Sequence, residues 1–301
     1  MAMRRLIAVL FSAVAFAETR KAPLGLDLYI PVPEDNPLTV ERIELGRRLF
    51  NDRRLSRDQS LSCASCHDPQ RAFSDGRPVA IGVFRRKGNR NAPAIINRGY
   101  GRAFFWDGHV PSLEAQVLNP IDNPNEMDLK LSEASVRVGL TTEQISRALA
   151  SYVRSILSGG SPFDRFIAGD RKALSREQQL GLQIFRGKGN CTACHSGPNF
   201  TDEKLHNTGV AWEVDRLADK GAGRGDFKTP TLREIARTAP YMHDGSLATL
   251  NDVIDFYDGG GRTNPNLDSE IRSLRLTGEE KKALAAFLRA LNGIIQEGTL
   301  R

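Results

Sequence analysis

Every cysteine in the chain belongs to one motif that occurs twice. Cys63-Ala64-Ser65-Cys66-His67 and Cys191-Thr192-Ala193-Cys194-His195 account for all four cysteines. C-x-x-C-H is the pattern of covalent c-type haem attachment: two thiols bond the vinyl groups and the adjacent histidine offers iron an axial nitrogen. A chain with two such motifs is expected to carry two haems, and its function is to be sought in what surrounds them. Paired C-x-x-C is also zinc-ligand spacing, but zinc does not require a histidine after each second cysteine. A thioredoxin-like redox motif normally stands once, in a βαβ pattern that this sequence lacks. A disulfide framework is the remaining alternative for an exported chain.

Haem attachment of this kind takes place outside the cytoplasm, and the N-terminus reads accordingly. Arg4 and Arg5 precede the apolar run Leu6 to Phe16, and Ala15-Phe16-Ala17 is an A-x-A cleavage site. A signal peptide over residues 1–17 is expected, with the mature chain starting at Glu18 in the periplasm. The run is too short to span a bilayer as a helix. The formal charge of +6 loses two units with Arg4 and Arg5, and four haem propionates offset most of the remainder. A nucleic-acid partner is therefore not indicated. The densest basic run, Arg85-Arg86-Lys87, reads as a solvated loop, or as a docking patch for a partner.

Similar segments precede the two motifs: Leu45-Gly46 with Phe50, and Leu180-Gly181 with Phe185. This repeat predicts two cytochrome c-like haem domains in a mainly α fold with long loops, the haems near the domain interface. The expected domains are 18–165 and 166–301, with the boundary in the stretch from Gly159 to Asp170. Thr39 caps a predicted helix through Phe50. Thr141 with Gln144, Ser175 with Gln178 and Thr277 with Glu280 are capping boxes ahead of helical apolar spacing. Gly, Pro and Asn are dense from Arg85 to Asn125 and from Gly197 to Thr231, where long, functional loops are expected.

The motifs between these helices carry a family resemblance. Asp75-Gly76, Arg90-Asn91-Ala92-Pro93, Phe105-Trp106-Asp107-Gly108, Leu113-Glu114-Ala115-Gln116, Pro120 and Glu126-Met127 follow the first haem motif. Thr229-Pro230-Thr231-Leu232-Arg233 and Thr238-Ala239-Pro240-Tyr241-Met242-His243-Asp244-Gly245 follow the second. This order resembles the bacterial dihaem cytochrome c peroxidase and MauG superfamily, from about Leu45 to Leu291.

The resemblance implies roles for particular residues. Many of the peroxidases place a second ligand histidine sixteen residues after the first haem-motif histidine; here that residue is Val83. An open, five-coordinate first haem is implied, as in the MauG-like branch. The peroxidases place a methionine fourteen residues after the histidine of H-x-G; here it is Tyr257, as in MauG-like members. Met242 and Met127 are rival ligands. Gln116 and Glu126 match the distal pocket, with Glu126 as acid/base and Gln116 orienting, and Pro120 beside them. Trp106 matches the tryptophan between the haems, a relay for electrons or holes. His243 matches a histidine near the second haem. Asn91 by side chain, and Thr238 and Pro240 by carbonyl, match the ligands of a calcium ion. His109 stands where the family commonly has arginine, and His206 reads as a loop residue. MauG's surface tryptophan is replaced by Gly189, leaving Trp212 as the only tryptophan besides Trp106.

The leading expectation is a dihaem peroxidase of MauG-like type, reacting with hydrogen peroxide and oxidising a protein partner, with tryptophan oxidation one form of that reaction. A cytochrome-c peroxidase fed by a small cytochrome or cupredoxin is the second. A dihaem electron carrier without catalysis is the third.

Overall fold

The computed structural model describes residues 22–298. The expected signal peptide lies outside them. Among the described residues, the chain folds into helices α1 (Val40–Phe50), α2 (Leu113–Gln116), α3 (Asn119–Asp122), α4 (Leu131–Val138), α5 (Thr142–Ser155), α6 (Pro162–Ile167), α7 (Arg176–Arg186), α8 (Leu250–Asp258) and α9 (Gly278–Arg289). Strands are short: β1 (Leu157–Gly159), β2 (Leu205–His206), β3 (Trp212–Glu213), β4 (Arg216–Leu217), β5 (Phe227–Lys228) and β6 (Ile294–Gln296). They pair antiparallel as β1·β6, β2·β5 and β3·β4.

Local chemistry sets the helix starts. Thr39 Oγ1 accepts from Arg42 N at 3.3 Å. Reciprocal capping boxes open α5, α7, α8 and α9, so two otherwise orphaned amides are satisfied at each start. The sequence reading missed Ser161-Pro162-Phe163-Asp164, a further box that opens α6. The stretch where a domain boundary was expected is therefore ordered: β1, then α6. Asp164 on α6 is buried in a two-point ion pair with Arg233 at 2.8 and 3.0 Å. Arg233 also donates to the Gly25 carbonyl at 2.6 Å, so the chain's beginning is tied to its C-terminal half.

Two hydrophobic clusters hold the halves. The first gathers Ile43, Phe50, Leu149 and Tyr152, where α1 packs on α5. The second gathers Leu182, Phe185, Leu284 and Phe287, where α7 packs on α9. Phe50 meets Tyr152 with ring centroids 5.0 Å apart, and Phe185 meets Phe287 at 5.2 Å. The repeated glycines explain themselves here. A methyl on Gly46 would stand 2.0 Å from the Ala148 carbonyl oxygen and 2.7 Å from Tyr152 Cβ. On Gly181 it would stand 2.0 Å from the Ala283 oxygen and 2.7 Å from Phe287 Cβ. Backbone touches backbone at both crossings. Gly46→Ala and Gly181→Ala should each destabilise the protein by about 1–3 kcal/mol through overpacking, despite alanine's better helix propensity. Denaturant titration of each variant checks this; unchanged midpoints would contradict it.

The internal repeat runs further than the sequence suggested: beyond the haem motifs, from Asn91 and Lys228 to Pro120 and Tyr257, the two halves match at an offset of 137 residues. Asn97 and Glu234 both take left-handed backbone before short helical turns at 98–100 and 235–237. Phe104 bridges Val110 as Tyr241 bridges Leu247. Phe105 and Met242 have φ of 64° and 74°, and Ser112 and Thr249 cap α2 and α8. The halves then clasp each other reciprocally. Asn91 N donates to His243 O at 2.7 Å, and its counterpart Lys228 N donates to Trp106 O at 2.7 Å. Trp106 and His243 are themselves counterparts, so the contact has pseudo-twofold symmetry.

Candidate functional site

One cavity of about 1440 Å³ opens between the halves, larger than the roughly 300–1,000 Å³ of ordinary ligand pockets. Both C-x-x-C-H motifs line it, as do Gln116, Pro120, Glu126, Trp106, Tyr257 and all five histidines. The long loops supply much of the wall. Their backbone follows irregular paths that a regular element would not.

The four cysteines are free. Among the described residues no three His, Cys, Asp or Glu side chains converge as a metal-binding group. Burial pushes the Cys63 and Cys191 thiols up to about 12 and Cys66 to about 11. His67 Nδ1 lies 3.0 Å from the Phe73 carbonyl, and His195 Nδ1 lies 3.0 Å from the Phe200 carbonyl. A carbonyl only accepts, so Nδ1 carries the proton in each ring and Nε2 keeps the lone pair. Burial also lowers both pKa values, favouring neutral imidazole, the metal-ligand form. The apolar cavity, paired thiols and oriented imidazoles fit two covalently held haems, one at each motif.

On the first motif's side, Glu126 is half-buried, and Asn123 Nδ2 donates to its Oε1 at 2.8 Å. Desolvation raises the Glu126 pKa; the Asn123 hydrogen bond opposes this only in part. Its charge is felt at Cys63 and Cys66, which locates it beside that motif. Gln116 lines the same cavity. Val83 N donates to Glu126 O at 2.8 Å. The Val83 side chain is fully buried and does not line the cavity, whereas Gly82 does.

On the second motif's side stands Tyr257 on α8. Desolvation raises its phenol pKa, with the neighbouring Cys194 and Cys191 thiols adding to the effect. Its counterpart 137 residues earlier is Pro120 on α3. The same place in the two halves thus holds a small ring without a donor atom in one and a phenol in the other. Met242 sits at the turn position of Phe105 and packs against the second core cluster; Met127 is buried in the first.

Between the motifs, Trp106 Nε1 donates to Asn91 O at 2.9 Å. Asn91 Nδ2 donates to Arg77 O at 2.6 Å. Asn91, Thr238 and Pro240 share the cavity wall. His243 is buried and stacks on Phe227 at 3.8 Å. His109 hydrogen-bonds Asp107 and stacks on Phe105. At Gly189 a Cβ would stand 2.9 Å from the Ile184 oxygen and 3.2 Å from Cys191 Sγ, so a side chain there needs local adjustment. Trp212 lies on β3, with its indole nitrogen buried and unpartnered.

Three features escaped the sequence reading. His206 is no plain loop residue: it bridges Asp268 at 2.6 Å and Asp202 at 2.9 Å. Its pKa is pushed up to about 10, by a Cys194 hydrogen bond first and then by these carboxylates. The spacing of Asp202 and His206 was the available signal. Arg90 binds Asp219 at 2.8 and 2.9 Å and Asp107 at 2.7 Å, joining the halves. Arg98, Glu203 and Lys228 form a third cluster at the cavity. Lys228 shares the 137-residue repeat with Asn91, which a search for that period would have found.

The comparisons agree with this geometry. Residues 40–140 match the di-haem cytochrome c peroxidase family. The chain is 37% identical to the methylamine utilization protein MauG of Methylorubrum extorquens, over 87% of this chain and 81% of that one. It is 36% identical to the cytochrome-c peroxidase IdrP2 of Denitromonas iodatirespirans, over 97% and 93%. A crystal structure of a MauG-like protein associated with microbial copper homeostasis matches with a TM-score of 0.81 at 33% identity, covering 89% of this chain and 95% of that one. Helices with a few short strands, and two haem motifs on one cavity, fit the dihaem oxidoreductases that these relatives are. This chain belongs to the dihaem cytochrome c peroxidase and MauG family.

Proposed function

We propose that the protein is a periplasmic dihaem peroxidase of MauG-like type that reacts with hydrogen peroxide at its first haem and oxidises a protein partner. The observation that carries this reading is the unequal lining of one cavity. Glu126 lies near Cys63 and Cys66, with Gln116 and Pro120 lining the same cavity, while Tyr257 lies near Cys191 and Cys194. Cys63, Cys66 and His67 would hold one haem; Cys191, Cys194, His195 and Tyr257 would hold the other. Bound haem supplies the iron that receives oxidising equivalents from peroxide.

The chain's own groups do the rest. Glu126 takes a proton from the inner oxygen of peroxide and returns it to the outer one, general acid–base work that suits a carboxyl with a raised pKa. The Gln116 amide orients the peroxide. Val83, buried behind the Glu126 backbone, offers no ligand, which leaves the first site open. Trp106, held at both its indole nitrogen and its carbonyl, passes electrons between the sites. Buried Tyr257 keeps its proton unless a strong Lewis acid such as ferric iron stands beside it. Asn91 Oδ1, with the carbonyls of Thr238 and Pro240, offers the oxygen donors that calcium prefers.

Haem stoichiometry tests the assignment. The pyridine haemochrome assay should give two haems per chain, and one in Cys63→Ser/Cys66→Ser or in Cys191→Ser/Cys194→Ser. Two haems retained in either double variant would sink it.

A further inference from the structure

The cavity wall holds a buried cation without a full partner. Lys228 is 8% exposed, on β5, and lines the cavity. Its backbone amide donates to Trp106 O at 2.7 Å, which places the residue at the clasp between the halves. An ammonium group has three donors. This one reaches the Thr229 carbonyl at 3.5 Å and Glu203 Oε1 at 3.7 Å, both long for charge-assisted bonds of roughly 2.7–2.9 Å.

Glu203 does not neutralise it. Arg98 occupies both Glu203 oxygens, at 2.8 and 3.2 Å, and Arg102 N approaches one of them at 3.3 Å. The next carboxylates, Asp202 and Asp268, share His206 between them, and Asp202 acts on Lys228 only through space. The wider cluster is near charge balance, but no carboxylate lies within charge-assisted hydrogen-bond distance of the Lys228 ammonium, Glu203 at 3.7 Å being the one in reach among the described residues. Burial and the Arg98 charge lower the amine's pKa to about 8, with Glu203 and Asp202 opposing. The wall around it belongs to the second motif: Asp202 N donates to Cys194 O at 2.9 Å, and Thr229-Pro230 runs beside His195.

We infer that the Lys228 ammonium, backed by Arg98, is an anion subsite that receives a propionate carboxylate of the haem in the second site. Attraction between unlike charges in a low-dielectric pocket anchors the end of the haem opposite its thioether bonds. The cation also favours the reduced, less positive iron.

This inference rests on the dihaem reading, and the tests keep the two apart. If the purified wild-type protein lacks two haems by pyridine haemochrome, the parent reading fails. With two haems present, spectroelectrochemical titration of Lys228→Met should show the midpoint potential of the second haem falling, with the first less affected and Lys228→Arg restoring the wild-type value. A lysine that merely completes the Glu203 pair would lower stability and leave both potentials unchanged, and that result overturns the inference. Should the methionine variant fail to fold or load, a crystal structure of the haem-loaded wild-type protein decides. A propionate at Lys228 Nζ supports the subsite; both propionates of the second haem directed elsewhere refute it.

Discussion

Glu126→Gln is expected to slow the reaction with hydrogen peroxide by roughly 10²–10⁴-fold, the usual contribution of a positioned acid–base group, with both haems retained. Glutamine keeps the shape of the side chain and can still accept from Asn123. It cannot take the proton from the inner oxygen. The pH profile gives a second readout. Desolvation raises the Glu126 pKa, and the carboxylate is the form that accepts the proton. The wild-type rate should therefore fall as pH drops through that raised pKa, at a pH above the ordinary glutamate range. The variant should lose this acid limb. Stopped-flow mixing of the oxidised protein with peroxide at several pH values measures both effects. A variant as fast as wild type would remove Glu126 from the mechanism, whatever its burial.

Tyr257→Met should change the second haem most. An anionic phenolate donates charge and favours the oxidised iron, whereas a neutral thioether favours Fe(II). Axial ligands set haem potentials over a span of about 0.8 V. A rise on the order of a few hundred millivolts is expected, with loss of activity toward the protein partner. The first site should still react with peroxide, because Tyr257 lies with Cys191 and Cys194 and not with Cys63. A potential that does not move would show that Tyr257 is a wall residue and return Met242 to consideration. Met242 also lines the cavity, at the turn position that Phe105 holds in the other half.

The elements legible in the sequence are those whose cause is local. Thr39, Thr141, Ser175 and Thr277 each cap a helix through contacts within three residues. The glycines at 46 and 181 announced the repeat, though their reason, backbone contact between helices, needed α5 and α9 in place. Contacts between the halves were illegible because nothing local encodes them. Arg90 finds Asp219 across 129 residues, and Asn91 finds His243 through backbone atoms that no residue type betrays. The site shows the same division. The haem motifs, Gln116, Glu126, Trp106 and Tyr257 were named from sequence and resemblance, and all line the cavity. His206 was passed over because its two carboxylate partners come from separate loops. Lys228 was passed over because burial, not residue type, makes it unusual. The correspondence of Pro120 with Tyr257 became visible only once the matching turns at 104–110 and 241–247 fixed the offset.

On the proposed reading, one motif used twice makes two unlike haem sites. Electron paramagnetic resonance of the oxidised protein as isolated tests it most directly. With an open site at His67 and a site capped by Tyr257 at His195, the spectrum should contain one high-spin and one low-spin ferric signal in equal amounts, and peroxide should react without prior reduction. Two low-spin signals from a protein that ignores peroxide until reduced would contradict the claim.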